Sequence, residues 1–373
     1  MPKTTMLRGA AGLVALSAAV VLGATVAKAA VSFEGKRIQV IVPFSEGGGT
    51  DTYSRFLQPF MQKHLPGNPK ILVVNKPGAG GIVGTNYFEQ RAKRDGTWVM
   101  ALSTSTLFNY VLGDPRVKFD VKEFIPIILS PRSSMVYAHK DLGLQNVKTL
   151  KGRMQKLRET PAENIAVGGK TPTSAALQAR IAFALLGIEV KSVWGMKGNG
   201  PIALAFERGE FQMSTDNSLS FLNNRSKLVE DGTAIPLFTL GVVDPNGTPK
   251  RDPVYPDMPN WFEAYEAIHG KKPSGPLYDA WLSLMLLQVE MSKSWNLPAG
   301  TPKNVIEAWR TAIQKMLKDP EFIKSQDKIF GPYKQTLGDD AAAIRDAALV
   351  ISPDARREIS KFVKTRYGIV LGK

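Results

Sequence analysis

The chain has 373 residues, with 48 Lys and Arg against 33 Asp and Glu, three His and no Cys. Without Cys there is no disulfide framework and no thiolate nucleophile or metal ligand, so stability must come from a core, and this length suffices for two domains. The net charge of +15 attracts anions in general, yet the basic residues are spread along the chain with no aromatic–basic interleaving, so no nucleic acid partner is expected.

Residues 1–29 read as a signal peptide. Lys3 and Arg8 give a positive start, an uncharged Ala-rich stretch covers 9–27, and Ala27-Lys28-Ala29 supplies a small-x-small cleavage pattern. The stretch is short and too rich in Ala and Gly for a permanent anchor, and no Cys follows it for lipid attachment. A protein exported to the periplasm is expected.

From there strand and helix patterns alternate. Residues 37–44 (RIQVIVPF) form a strand, 52–64 a helix, 71–75 a strand, 82–92 a helix and 98–102 a third strand. This rhythm predicts a parallel sheet covered by helices. Further strands are expected at 123–129, 134–138 and 164–168, followed by a helix over 174–186. Short strands at 190–194 and 211–214 flank a helix at 201–208, and another strand covers 235–240. The stretch 244–259 is rich in Pro, Gly and Asp and reads as a loop or hinge. Near the end, Thr301-Pro302 predicts a helix start with a capping Thr and Pro in the first turn. The apolar residues Val305, Ile306, Trp309, Ile313, Met316 and Leu317 then recur at helical spacing and point to a core face. Two more helices follow over 339–350 and 353–367.

Two glycine loops stand between a strand and a helix. The first reads Phe44-Ser45-Glu46-Gly47-Gly48-Gly49-Thr50-Asp51. Its glycines let backbone amides approach a ligand, and the helix start behind them offers free N–H donors and a positive dipole end. A tight turn that simply needs glycine is the alternative. Asp51 reads as a helix N-cap, and Glu46 is an awkward neighbour for an anion. The second loop is Asn75-Lys76-Pro77-Gly78-Ala79-Gly80-Gly81. A dinucleotide loop would need glycine where Val83 stands, and a P-loop ending at Gly169-Lys170-Thr171 would need glycine where Asn164 stands, so both nucleotide readings fail. No G-x-S-x-G elbow occurs, and His64, His139 and His269 lack metal spacing. No catalytic residue, metal site or cofactor is expected.

The segments VPFSEGGGTD (42–51), VVNKPGAGG (73–81) and RDGTW (94–98), in that order and spacing, resemble the tripartite tricarboxylate transporter solute receptors of the TctC or Bug type. The segments at 190–217 and 296–309 match that family more loosely. The resemblance implies an α/β fold of type II-like periplasmic binding protein form, with two lobes and a ligand cleft between them. It divides the chain into lobe 1 at 30–132 and 258–373 and lobe 2 at 133–257. It implies a monomer that captures a small organic anion, a di- or tricarboxylate or aromatic acid, and passes it to membrane permease components. A receptor serving a membrane sensor and an exported enzyme acting on a small acid are the alternatives. Carried over residue by residue, the ligand site takes Phe44, Gly47, Gly48, Gly49, Thr50 and Asp51 from the first loop. Gly78, Ala79, Gly80 and Gly81 come from the second, and Ser103, Thr104 and Ser105 from the end of the third strand. Thr171, Thr173, Ser174 and Asp216 come from the opposite lobe. The chain departs from the family at Ser45-Glu46, at Thr171-Pro172-Thr173, at Gly195-Met196-Lys197-Gly198 and in a longer, more aromatic segment over 260–294.

Overall fold

A computed structural model describes residues 1–2, 31–244 and 248–372. The expected signal peptide therefore lies almost wholly outside the described residues. The chain from Val31 onward forms one compact unit.

Six strands build the first sheet, in the order β13-β4-β12-β3-β1-β2. They are β1 (Arg37–Val42), β2 (Lys70–Asn75), β3 (Trp98–Ser103), β4 (Ile125–Ser130), β12 (Lys293–Leu297) and β13 (Thr336–Leu337). The second sheet has the order β8-β5-β9, from β5 (Ser134–His139), β8 (Met213–Asn217) and β9 (Ala234–Thr239). Two strand pairs stand apart: β6 (Ala166–Gly168) with β7 (Lys191–Val193), and β10 (Val242–Val243) with β11 (Pro249–Lys250). The parallel expectation holds for β1, β2 and β3 and for the separate β6–β7 pair. The late strand β12 runs antiparallel to both β3 and β4, and every pairing of the second sheet is antiparallel. The strand–helix rhythm that predicts parallel order does not reach these strands, because β12 returns to the sheet from the far end of the chain.

Helices α1 (Gly49–His64), α2 (Ile82–Arg91) and α3 (Thr104–Val111) follow the first three strands. Helices α4 (Leu150–Glu159), α5 (Ala176–Leu186), α6 (Asn199–Glu207) and α7 (Ser218–Glu230) accompany the second sheet and the β6–β7 pair. The longer aromatic segment folds into α8 (Trp261–His269), α9 (Pro276–Ser283) and α10 (Met285–Glu290). The chain closes with α11 (Lys303–Met316), α12 (Pro320–Ser325), α13 (Gly338–Ala348) and α14 (Pro353–Tyr367). None of the helices among the described residues is long and apolar enough to cross a membrane.

The core is aromatic and its polar tips are satisfied. Trp261, Trp281, Trp295 and Trp309 are fully buried, and a buried indole N–H needs an acceptor. Trp309 donates to Gly96 O at 3.1 Å and Trp295 to Ser54 Oγ at 3.2 Å, fixing α11 and α1 to the first sheet. Trp261 donates to Ala182 O at 3.1 Å and Trp281 to Gln178 O at 3.0 Å. Helices α8 and α9 are thereby pinned to α5, and α9 packs in turn on α14. The 260–294 segment is thus an aromatic plate beside the second sheet that carries the chain back to β12.

Helix α11 begins at Lys303, one residue later than its sequence predicts, with Pro302 in the capping position. Thr301 is no cap: its hydroxyl donates to Pro298 O at 2.8 Å. A knot joins the sheets where β4 passes to β5. Tyr333 Oη accepts the Ser133 N–H at 3.0 Å and donates to Asp252 Oδ1 at 2.7 Å. Ser133 Oγ donates to Gly241 O at 2.8 Å. Burial raises the Asp252 carboxyl above its ordinary range.

Candidate functional site

A cavity of about 80 Å³ is lined from both sheets. Phe44, Gly48, Gly49 and Thr50 bound it at the start of α1, and Ser103, Thr104 and Ser105 at the start of α3. Ala175 and Ala176 face it at the start of α5, Asn199 at the start of α6, and Asp216 and Asn217 at the end of β8. The N-termini of α1, α3, α5 and α6 carry no side-chain cap. Helix N-termini leave N–H groups without intrahelical partners and carry a partial positive charge. Four helix starts meet at one small cavity; at α5 the Ala175, Leu177 and Gln178 N–H groups are taken by Ser105 Oγ and by the Ser174 and Ala175 carbonyls, so the free donors come chiefly from α1, α3 and α6.

Two lysines add to this. Lys170 follows β6, donates to Asn199 Oδ1 at 2.6 Å and lies 5.8 Å over the Phe44 ring. Burial pushes its ammonium pKa down to about 8. Lys293, the first residue of β12, is 8% exposed and donates to Ser292 O at 3.0 Å. Burial, then the nearby Arg132 and Lys170, hold its pKa well below the ordinary lysine range. The carboxylate in the lining, Asp216, accepts from Asn199 Nδ2 at 2.9 Å and from Tyr137 Oη at 3.3 Å, and it pairs with Arg225 at 3.4 Å.

Of the expected site residues, Phe44, Gly48, Gly49, Thr50, Ser103, Thr104, Ser105 and Asp216 line this cavity. The others do not, each for a physical reason. Gly47 turns the chain at φ +73°, and its N–H donates to Asp51 Oδ2 at 3.0 Å. Asp51 is not the N-cap: it sits in the first turn of α1 and spends its carboxylate on Gly47, Arg55 and Asn75. Glu46 is exposed, away from the cavity lining.

The second glycine loop stands off the cavity. Gly78, Ala79, Gly80 and Gly81 all have positive φ, a run that side chains resist, so the backbone itself accounts for the glycines. A Cβ on Gly80 would stand 2.8 Å from Asn109 Nδ2 and 3.0 Å from Thr171 Oγ1, and one on Gly81 would overlap Thr106 Oγ1. The Thr171–Ser174 turn is engaged on the other side of that contact. Thr171 and Thr173 hydroxyls donate to Asn109 Oδ1 at 3.1 and 2.7 Å, and Thr173 also reaches Asp114 Oδ2 at 3.1 Å. Ser174 Oγ donates to Thr171 O at 2.6 Å. Loop and turn form a clasp, and neither contributes to the cavity lining.

Sequence reasoning missed Lys170, Lys293, Asn199, Asn217 and Gln288. Asn217 adjoins Asp216 within the 190–217 match, and that adjacency was the available signal. Gln288 Nε2 donates to Ser134 Oγ at 3.1 Å. Among the described residues, no group of His, Asp or Glu could hold a metal ion.

The architecture has solved counterparts. The periplasmic binding protein BugD is 21% identical, with a TM-score of 0.65 over 88% of this chain and 97% of BugD. The fold is that of the Bug-type periplasmic binding proteins. MatC from Rhodopseudomonas palustris, solved with bound malate, is 21% identical with a TM-score of 0.63 over 87% of this chain and 97% of MatC. At these identities the likeness is one of fold. In sequence, a UPF0065 protein from the tcbD–tcbE intergenic region of Pseudomonas sp. strain P51 is 23% identical over 321 residues, 84% of this chain and 83% of that protein. Protein BugT of Bordetella pertussis is 33% identical over 97 residues, 26% of this chain and 29% of BugT. No protein-family model matches the chain.

Proposed function

We propose that this chain is a periplasmic solute-binding protein that captures a small carboxylate without transforming it. The observation that carries the reading is the meeting of four helix starts at one cavity, with free N–H donors chiefly from α1, α3 and α6. Such N–H groups replace the water around an anion, and a closed cleft then removes it from solvent. The malate bound by MatC, on the same fold, supports a carboxylate as the ligand class.

The lobes part between the two sheets. Residues 31–132 with β12 and β13 form one side, and the second sheet with its helices forms the other. Contacts across the parting support a closed form: the Ser45 N–H donates to Lys197 O at 3.2 Å, and Asn109 bridges Gly80 O and the Thr171 hydroxyl. The mature chain begins after the signal peptide, acts as a monomer and delivers its solute to membrane permease components.

A thermal-shift screen of mono-, di- and tricarboxylates and aromatic acids, followed by calorimetry, tests this. A true ligand at 100 times its Kd stabilises by about 2.7 kcal/mol. Absence of any shift across the acids, or product formed from a bound acid, would overturn the reading.

A further inference from the structure

We propose that a second pocket, walled by α5, β7 and α14, binds a small monoanion with an apolar body through Arg180. None of its lining residues lines the cavity between the sheets, so it stands apart from the capture reading.

The pocket has a volume of about 180 Å³. Arg180 and Ala184 are four apart on α5, and Phe362 and Arg366 four apart on α14, so each pair shares a helix face. Ser192 joins them from β7.

Arg180 is 2% exposed. Its Nε donates to Ser192 Oγ, and its Nη2 to the Val167 and Gly168 carbonyls, all at 3.0 Å. Its Nη1 is buried with no hydrogen-bond partner. The Trp194 ring lies 5.4 Å from its Cζ and packs edge-on against Tyr367. All these partners are neutral. Among the described residues the titratable group acting on Arg180 is the Tyr367 phenol, and no carboxylate does. Its field reaches the like-charged Lys170, which adds to the cost. Burial lowers the guanidinium pKa to about 10, so it stays charged at neutral pH. A buried cation without a counter-charge is costly, and an incoming anion offsets that cost.

The rim sets the charge of the ligand. Arg366 donates to both oxygens of Glu189, so this pair adds no net charge, and the Glu189 carboxylate repels a second negative group. One unmatched positive charge therefore calls for one negative charge. The walls set the body, because Ala184, Ile188, Val190 and Phe362 are apolar. The volume lies below the roughly 300–1,000 Å³ of drug-sized sites, so the body is a single ring or a short branched chain.

The test is a fluorine NMR titration at pH 7 with para-fluorobenzoate, and with neutral para-fluorobenzamide as the control. It uses the wild-type chain, Ala184→Phe and Arg180→Met, with melting curves to verify folding. Ala184 is half-buried, so phenylalanine there fills the pocket from the helix surface. Arg180→Met also releases the Val167 and Gly168 carbonyls, and Ala184→Phe carries the test should that variant unfold. The expected result is a bound benzoate signal that Ala184→Phe removes and Arg180→Met weakens about 10- to 100-fold. Benzamide should give no such signal. The inference is overturned if no bound signal is lost in Ala184→Phe, if benzamide binds as tightly as benzoate, or if folded Arg180→Met binds like wild type. A signal that both variants leave untouched belongs to the cavity between the sheets and bears on the capture reading alone.

Discussion

Gly49→Ala separates closure from folding. Gly49 opens α1, and a Cβ there would overlap Asn217 Nδ2 and stand 2.7 Å from Ser220 Oγ, where ordinary contact begins at 3.4 Å. Asn217 cannot swing aside freely. Its Oδ1 caps α7 by accepting the Ser220 N–H at 2.9 Å, and its Nδ2 donates to Ser220 Oγ at 2.8 Å. Relief comes either from losing that cap, about 0.5–2 kcal/mol, or from holding the lobes apart. Both raise the closed state against the open one, and 1–2 kcal/mol weakens ligand affinity roughly 5- to 30-fold. The open state has no such clash, and alanine favours the helix over glycine by up to about 1 kcal/mol. Calorimetry with the best acid should therefore show weaker binding, while the unliganded melting temperature holds or rises. Wild-type affinity in a variant that melts normally would refute the reasoning, because the overlap is then not at a closing contact.

Other expectations follow from the same geometry. Affinity for an anionic ligand should fall as pH rises through about 8, where Lys170 loses its proton, by at most about tenfold per pH unit for one proton; a flat profile between pH 6 and 9.5 would contradict this. Asn109→Ala removes the acceptor shared by Thr171 and Thr173 and the donor to the second loop, and should cost about 1–3 kcal/mol in denaturant unfolding. Ala79→Gly relieves a positive φ of 46° and should raise stability by up to about 1 kcal/mol in the same assay. Asp252 has a folded pKa raised above its unfolded value, so its stabilising contribution is complete below the unfolded pKa and is lost as pH rises through the folded one. Asp252→Asn, which keeps the Tyr333 acceptor, should thus raise the melting temperature more at pH 7 than at pH 4.

Much of the fold was legible because burial writes a period into the chain. The runs at 37–44, 71–75 and 98–102 and the helices after the first two of them sit where their apolar spacing puts them. What was hidden depended on distant partners. Nothing local to Lys293 says that β12 enters between β3 and β4, and a lysine at a strand start normally reads as solvated. Lys170 was visible only as the end of a nucleotide motif that failed. The second glycine loop misled for another reason. Glycine demanded by positive φ and close packing looks the same in sequence as glycine demanded by a ligand. The 260–294 segment read as an oddity, because its tryptophans have meaning only against the α5 carbonyls they bond.

The position of β12 also sets an order on the protein's own making. Strands β3 and β4 flank it in the finished sheet, yet they are separated from it by more than 160 residues of chain. A chain emerging N-terminus first holds both of those edges unpaired until residues 293–297 arrive, and unpaired edges recruit other strands. That same late strand brings Lys293. The protein thus joins β3 to β4 and adds Lys293 to the cavity lining in a single step, and a chain cut short before it has neither.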